Sequence, residues 1–330
     1  MSTTLPTLTS NPSNASISVR KYIYHLPYPL PLGTPIPYTP NLPTYNPLNL
    51  DPNASEPTHT LVLTTPASTF VDLRILKRTS GFDTEAPNNG KPGRLEWGFA
   101  GVSRSVAVLD AGQPMRNRDD SGQDGERASS NAPTSISTYT CTRLGNGNGN
   151  GNGIKNGTWI PEIRHSIWTH TVDSRHPLNS PFMPPDEGDM YPLPNNPDLT
   201  LEFGTAFNPL TNMHMNYEEM WQDVKIDVCG PERLKYAVCL KLEQPTTNTR
   251  GVVVRVGQFV QGIVKNGEQT TVERWEFTGE GEGEGWKRIV NIGMSFVPCV
   301  VTFRPTELEI GGKVRYQGSE WVVDELVGWE

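Results

Sequence analysis

The chain has 330 residues, with 36 acidic against 28 basic side chains and a net charge of −8; with no long Lys/Arg run, that balance excludes nucleic acid as a natural partner. Hydrophobic residues make up 35% and charged residues 19%, while the 31 Gly and 30 Pro exceed their usual combined share of roughly 12%. This excludes coiled coils and helical arrays, and predicts strands and turns with part of the chain unfolded.

In chain order, Met1 to Ser16 lacks the basic region and apolar core of a secretory signal, and no later stretch reaches the roughly 18 to 20 apolar residues of a membrane span. From Leu26 to Pro57 prolines recur every few residues, which predicts extended chain, a surface arm; residues 1–57 are assigned to N-terminal strand(s) plus this arm. Thr60 to Leu63, Phe70 to Leu76 and Arg94 to Val108 read as strands. In the second of these, Val71, Leu73 and Ile75 share one face while Asp72 and Arg74 share the other. A polar tract at about 110–157, ending in the Gly-Asn run Gly145 to Gly153, predicts a disordered insertion. Trp159 to Val172 resumes as one or two strands bent at Pro161, completing a first barrel at 58–176.

A Pro- and Asp-rich linker is expected at 177–197, followed by a second barrel at 198–330. There Tyr217, Met220, Trp221 and Val224 follow i, i+3, i+4, i+7, and Asn216 with Glu219 has capping-box spacing, which predicts one short helix giving way to a strand near Gln222. Strands follow at Tyr236 to Leu242, from Gly251 to Val256, at Thr271 to Phe277, at Trp286 to Ile292 and at Glu320 to Trp329. Turns are expected at Asn266-Gly267 and Gly311-Gly312. Consecutive hairpins predict an up-and-down meander that closes into a barrel. The pattern W-x-F-x-G occurs at Trp97 to Gly101 and again at Trp275 to Gly279, a faint echo between halves.

Chemistry is sparse. His165, His170 and His176 lie near Asp173, yet His165 and His170 are five apart and would face opposite sides of a strand, so no metal site is expected. His170 with Asp173 is a minority acid/base candidate, without a G-x-S-x-G elbow to support it. Glu280, Glu282 and Glu284 would repel phosphate from the Gly279 to Gly285 loop. Glu218 and Glu219 are expected on the solvated face of the helix. Cys141, Cys229, Cys239 and Cys299 lack CxxC spacing and read as reduced thiols, although Cys229 and Cys239 flank Gly230-Pro231 and could face each other across a hairpin. The remaining candidates are Arg74, Trp97, Trp168, Arg255 and Trp275, which could line a cavity where aromatic walls and cations hold an amphipathic acid, against the alternative that the Trp residues are core packing.

Several stretches lie in an order that resembles a fungal family named for interaction with a yeast casein kinase I: Ser68-Thr69-Phe70-Val71-Asp72-Leu73-Arg74-Ile75, Leu95-Glu96-Trp97-Gly98-Phe99-Ala100-Gly101, Trp168-Thr169-His170, Val172-Asp173-Ser174-Arg175, Leu201-Glu202-Phe203-Gly204, Asn208-Pro209 and Tyr217-Glu218-Glu219-Met220-Trp221. The chain departs from the family pattern at Asn212, where Gly is usual, and at Gln222, where Arg is usual. The resemblance implies a mainly β protein of two tandem antiparallel calycin, lipocalin-like barrels, a cytoplasmic and nuclear location, no established enzymatic activity and a casein kinase I-type kinase as candidate partner. It supplies no catalytic residues, and no cofactor is expected. The expectation is therefore a non-enzymatic β-barrel interaction protein; the alternative is a carrier or sensor of a small apolar or amphipathic ligand.

Overall fold

The computed structural model describes residues 14–77, 92–108, 162–181, 183–208, 211–230, 233–279 and 285–330. The expected disordered insertion at 110–157, with Cys141, and the Glu280 to Glu284 loop lie outside them. Eight strands, β1 (Ser16–Leu26), β2 (Thr58–Thr64), β3 (Thr69–Leu76), β4 (Leu95–Ala107), β5 (Arg164–Asp173), β6 (Asp186–Leu193), β7 (Asn196–Asn208) and β8 (Met213–Asp223), pair antiparallel with their sequence neighbours. The barrel closes where β1 meets β8, from Ser18 opposite Asp223 to Leu26 opposite Asn216.

The second unit contains β9 (Lys235–Gln244), β10 (Thr249–Val256), β11 (Phe259–Asn266), β12 (Gln269–Thr278), β13 (Gly285–Ile292), β14 (Lys313–Tyr316) and β15 (Ser319–Trp329). They form a seven-stranded sheet in the order β13-β12-β11-β10-β9-β15-β14, not the second closed barrel expected. A short 3-10 segment, Pro298–Phe303, lies over β10 to β12 and puts Val297 and Cys299 into the core beside Val253, Val260 and Trp321. Gly262 permits that contact, since a Cβ there would sit 2.4 Å from Val297 Cγ1.

The predicted linker at 177–197 contains β6, and β7 and β8 belong to the first barrel, so the division between units falls between Asp223 and Lys235. β6 carries Asp186, Glu187, Asp189 and Pro192, and its inward residues meet a polar interior, so it lacks the apolar alternation that marks a strand. The predicted helix at Tyr217 to Val224 is β8. Both of its faces are buried, so apolar residues appear on each and imitate a helical period. The turns shift as well. β11 and β12 are joined by Gly267 and Glu268, with Gly267 at φ +56°, and the β14–β15 turn is Gln317-Gly318, both at positive φ, whereas Gly311-Gly312 precedes β14.

The proline-rich segment is a surface arm, packed rather than free. Tyr38, Ile36, Leu42, Leu48 and Leu50 cover Leu26, Leu201, Phe203 and Met220 on the outer face of β1, β7 and β8. Glu218 fastens it, accepting the backbone N–H of Tyr38 and of Thr39, each at 2.7 Å.

The two units share a core. Leu61, Leu63, Val71, Leu73, Ile75 and Val172 on the outside of the barrel pack against Val252, Val254, Val256, Ile263 and Val272 of the second sheet. Polar groups also cross the interface. Arg274 donates to Leu73 O at 2.8 Å, to His59 O at 3.2 Å and to Gln261 Oε1 at 2.6 Å, while Gln261 Nε2 donates to Leu61 O and Val71 O. Lys265 Nζ donates to the carbonyls of Asp173, Ser174 and His176.

Candidate functional site

The alternation read in β3 is real, but its sense is unusual for a small barrel. The apolar face, Val71, Leu73 and Ile75, points outward into the shared core, and the polar face, Asp72 and Arg74, points into the barrel. Period-two geometry imposes the same choice on the neighbouring strands. β7 sends Glu202 inward between outward Leu201 and Phe203, and β8 sends Tyr217, Glu219 and Trp221 inward while Glu218 and Met220 meet the arm.

These side chains form one buried ionic network. Arg74 Nε donates to Asp72 Oδ2 at 3.0 Å, its Nη1 lies 3.3 Å from Glu219 Oε1, and its Nη2 is 3.8 Å from Asp186 Oδ2. Its guanidinium lies 4.9 Å from the Trp97 ring centroid and 5.4 Å from that of Phe99. Arg20 shares Glu219 Oε1 at 2.6 Å and also pairs with Glu56 at 2.7 Å. Glu202 accepts from Tyr217 Oη and from Trp221 Nε1, each at 2.9 Å. Burial pushes the Asp72 carboxyl up to about 6 despite Arg74, and raises Asp186 and, more strongly, Glu202, with the neighbouring carboxylates acting in the same direction.

Above this network lies a cavity of about 230 Å³. Its inner end is Asp72, Arg74, Asp186 and Glu202; its walls are Val62, Phe70, Phe99, Trp168, Met190 and Trp221; its outer rim is Ser16, Ser18, Thr64, Ser103, Ser105, Thr200 and Asp223. The rim residues lie where β2 turns into β3, where β4 ends and where β7 begins.

Of the five candidates drawn from the sequence, Arg74 and Trp168 line the cavity, and Trp97 lies behind it, between Arg74 and Arg175. Arg255 and Trp275 lie in the second sheet, away from the cavity. Arg255 donates to Thr302 O at 2.5 Å with its guanidinium 4.9 Å from the Trp286 ring, and Trp275 packs on Phe303 and donates to Glu273. Asp186, Glu202, Glu219 and Tyr217 are not among those five; Tyr217 and Glu219 read from the sequence as helix residues instead. Glu202 was legible as a charge alternating with Leu201 and Phe203; the β8 residues were hidden by the helical period. Glu218 and Glu219, expected on a solvated face, are both buried, on opposite sides of a strand.

His165 and His170 do face opposite sides of β5. His165 Nδ1 pairs with Asp189 at 2.8 Å, and His170 Nδ1 with Asp173 Oδ2 at 2.8 Å. Asp173 also accepts from Trp97 Nε1 and the Arg175 N–H, and these bonds hold its carboxyl below its ordinary range. Among the described residues no three His, Cys, Asp or Glu side chains are grouped as metal ligands. Cys229, Cys239 and Cys299 are free buried thiols, and burial pushes Cys229 up to about 11 and Cys239 to about 12.

Comparison with known families matches residues 42–325, spanning both sheets, to the family described as Protein HRI1. The chain belongs to the HRI1 family. Among solved structures, this HRI1-family chain is similar to the crystal structure of the uncharacterized protein YLR301w from Saccharomyces cerevisiae, with a TM-score of 0.51 and 15% identity over 95% of this chain and 99% of that one. At that identity the likeness concerns the fold alone. No curated protein matches the chain. Asn212 of this HRI1-family member sits at φ +53°, a conformation that Gly adopts without strain.

Proposed function

We propose that this HRI1-family protein is a non-enzymatic carrier or sensor of a small molecule held inside the closed barrel. The observation that carries the reading is the cavity itself, about 230 Å³ with aromatic walls and a few convergent polar groups at its inner end. A larger residue at the rim tests it. Ser103→Trp and Thr200→Trp, each folding as the parent does by circular dichroism, are expected to lose the small molecule that co-purifies with the parent. Equal recovery from parent and variants would sink the reading.

The resemblance read in the sequence motivates a second proposal on the partner side, association with a casein kinase I-type kinase in the cytoplasm and nucleus. It is compatible with the first, because the ligand would lie inside the barrel and leave the outer surface available. Co-purification from native extract is expected to recover such a kinase in stoichiometric amount; recovery of none would remove this part of the proposal.

A further inference from the structure

The cavity's inner end is set apart by its charged groups as well as by its shape. Asp72, Asp186 and Glu202 line the cavity and Glu219 lies directly behind, yet the guanidinium at the centre, Arg74, is already shared among Asp72, Glu219 and Asp186. Arg20, the neighbouring cation, is held between Glu219 and Glu56. Carboxyl groups thus outnumber guanidiniums, and Asp223 at the rim adds another carboxyl group.

A second, independent observation concerns Asp72. It is 2% exposed and lines the cavity; its Oδ2 accepts from Arg74, whereas its buried Oδ1 has no hydrogen-bond partner. An unmatched buried carboxylate oxygen calls for a donor, and an ammonium group offers donors only. The rings of Phe70, Phe99, Trp168 and Trp221 along the walls suit the apolar body of such a molecule and attract its charge.

We infer that the barrel takes a compact organic cation, a primary amine or ammonium with a small apolar body, and not an acid. This inference rests on the carrier reading and adds the ligand's charge to it. An amphipathic acid, the class that the arginines suggested in the sequence, would place its carboxylate among Asp72, Asp186 and Glu202 with no uncommitted cation to receive it. The size agrees, because a cavity of about 150 Å³ holds a benzene-sized molecule.

Three probes of matched shape test it: 2-phenylethylamine, 2-phenylethanol and 3-phenylpropionate, titrated by calorimetry into the full chain at neutral pH. The amine is expected to bind about tenfold or more tightly than the alcohol, with the acid weakest. Asp72→Asn and Glu202→Gln, which keep the side-chain shapes, are each expected to reduce that preference, with the parent's circular dichroism retained. Equal affinity for amine and alcohol, or tighter binding of the acid, would overturn the charge inference and leave the carrier reading standing. Binding of none of the three, by a protein that also carries no small molecule from its host, would overturn both.

Discussion

Arg74 carries a charge from water into the barrel, and what keeps it there is the match between its guanidinium and three carboxylates. Removing one member of a buried ionic group leaves the others uncompensated, which costs about 3–5 kcal/mol. Arg74→Met is therefore expected to lower the urea-unfolding free energy at neutral pH by roughly that much; a change within error of zero would show that the network contributes nothing to folding. The titration of Asp72 gives a second, signed prediction. Its folded pKa of about 6 lies above the ordinary 3.8, so the native state binds more protons than the unfolded chain between those values. The associated stability is fully present below about pH 4 and falls as the pH rises through 6, with Asp186 and Glu202 shifted in the same direction. Asp72→Asn removes this share. Its urea midpoint should fall less between pH 4 and 7 than that of the parent, and parallel profiles would show that Asp72 is not buried as an acid.

At the scale of elements, β8 explains both the packing of the arm and the limits of reading this sequence. Its inner face meets the ionic network and its outer face lies under the proline-rich arm, with Glu218 accepting the Tyr38 and Thr39 N–H groups. Losing the acceptor for two buried donors costs about 1–3 kcal/mol. Hydrogen exchange at Tyr38 and Thr39 should accelerate in Glu218→Ala while the amides of β10 and β11 keep their protection. Unchanged exchange in the arm would mean that its apolar contacts alone hold it.

The same two-sided burial made Tyr217, Met220 and Trp221 look helical, because alternation shows only where one face is wet. β3, β4, β9 and β12 were legible from branched and aromatic runs bounded by turns. β6 was not, since Asp186 makes sense only opposite Arg74, a partner more than a hundred residues earlier in the chain, while Glu187 and Asp189 pair with His165 on the other side. Arg74 and Trp168 could be named in advance because Arg and Trp are conspicuous within strands; Asp186 and Glu219, which Arg74 meets from other strands, depend on how strands come together around the barrel. Arg255 and Trp275 were conspicuous for the same reason and serve the second sheet.

For the whole molecule, the barrel and the sheet do not behave as beads on a string. The outward apolar faces of β2 and β3 form one core with the inward faces of β10 and β11, and Arg274, Gln261 and Lys265 satisfy barrel carbonyls across it. Burial lowers the Arg274 pKa to about 10, the direction expected of a cation held mainly by carbonyl oxygens. A shared core predicts one calorimetric unfolding transition whose van't Hoff and calorimetric enthalpies agree; two resolved transitions would show that the units fold separately. The shared core also explains the polar barrel interior: with the apolar faces used between the units, the interior is left to charged groups and to the cavity.

That cavity is the centre of the account, and native mass spectrometry of the protein gently purified from its own host tests it most directly. A single reproducible added mass is expected, small enough for about 230 Å³, belonging to a basic compound and absent from Thr200→Trp. A chain that arrives bare in every preparation, or carries an acid in that place, would contradict it.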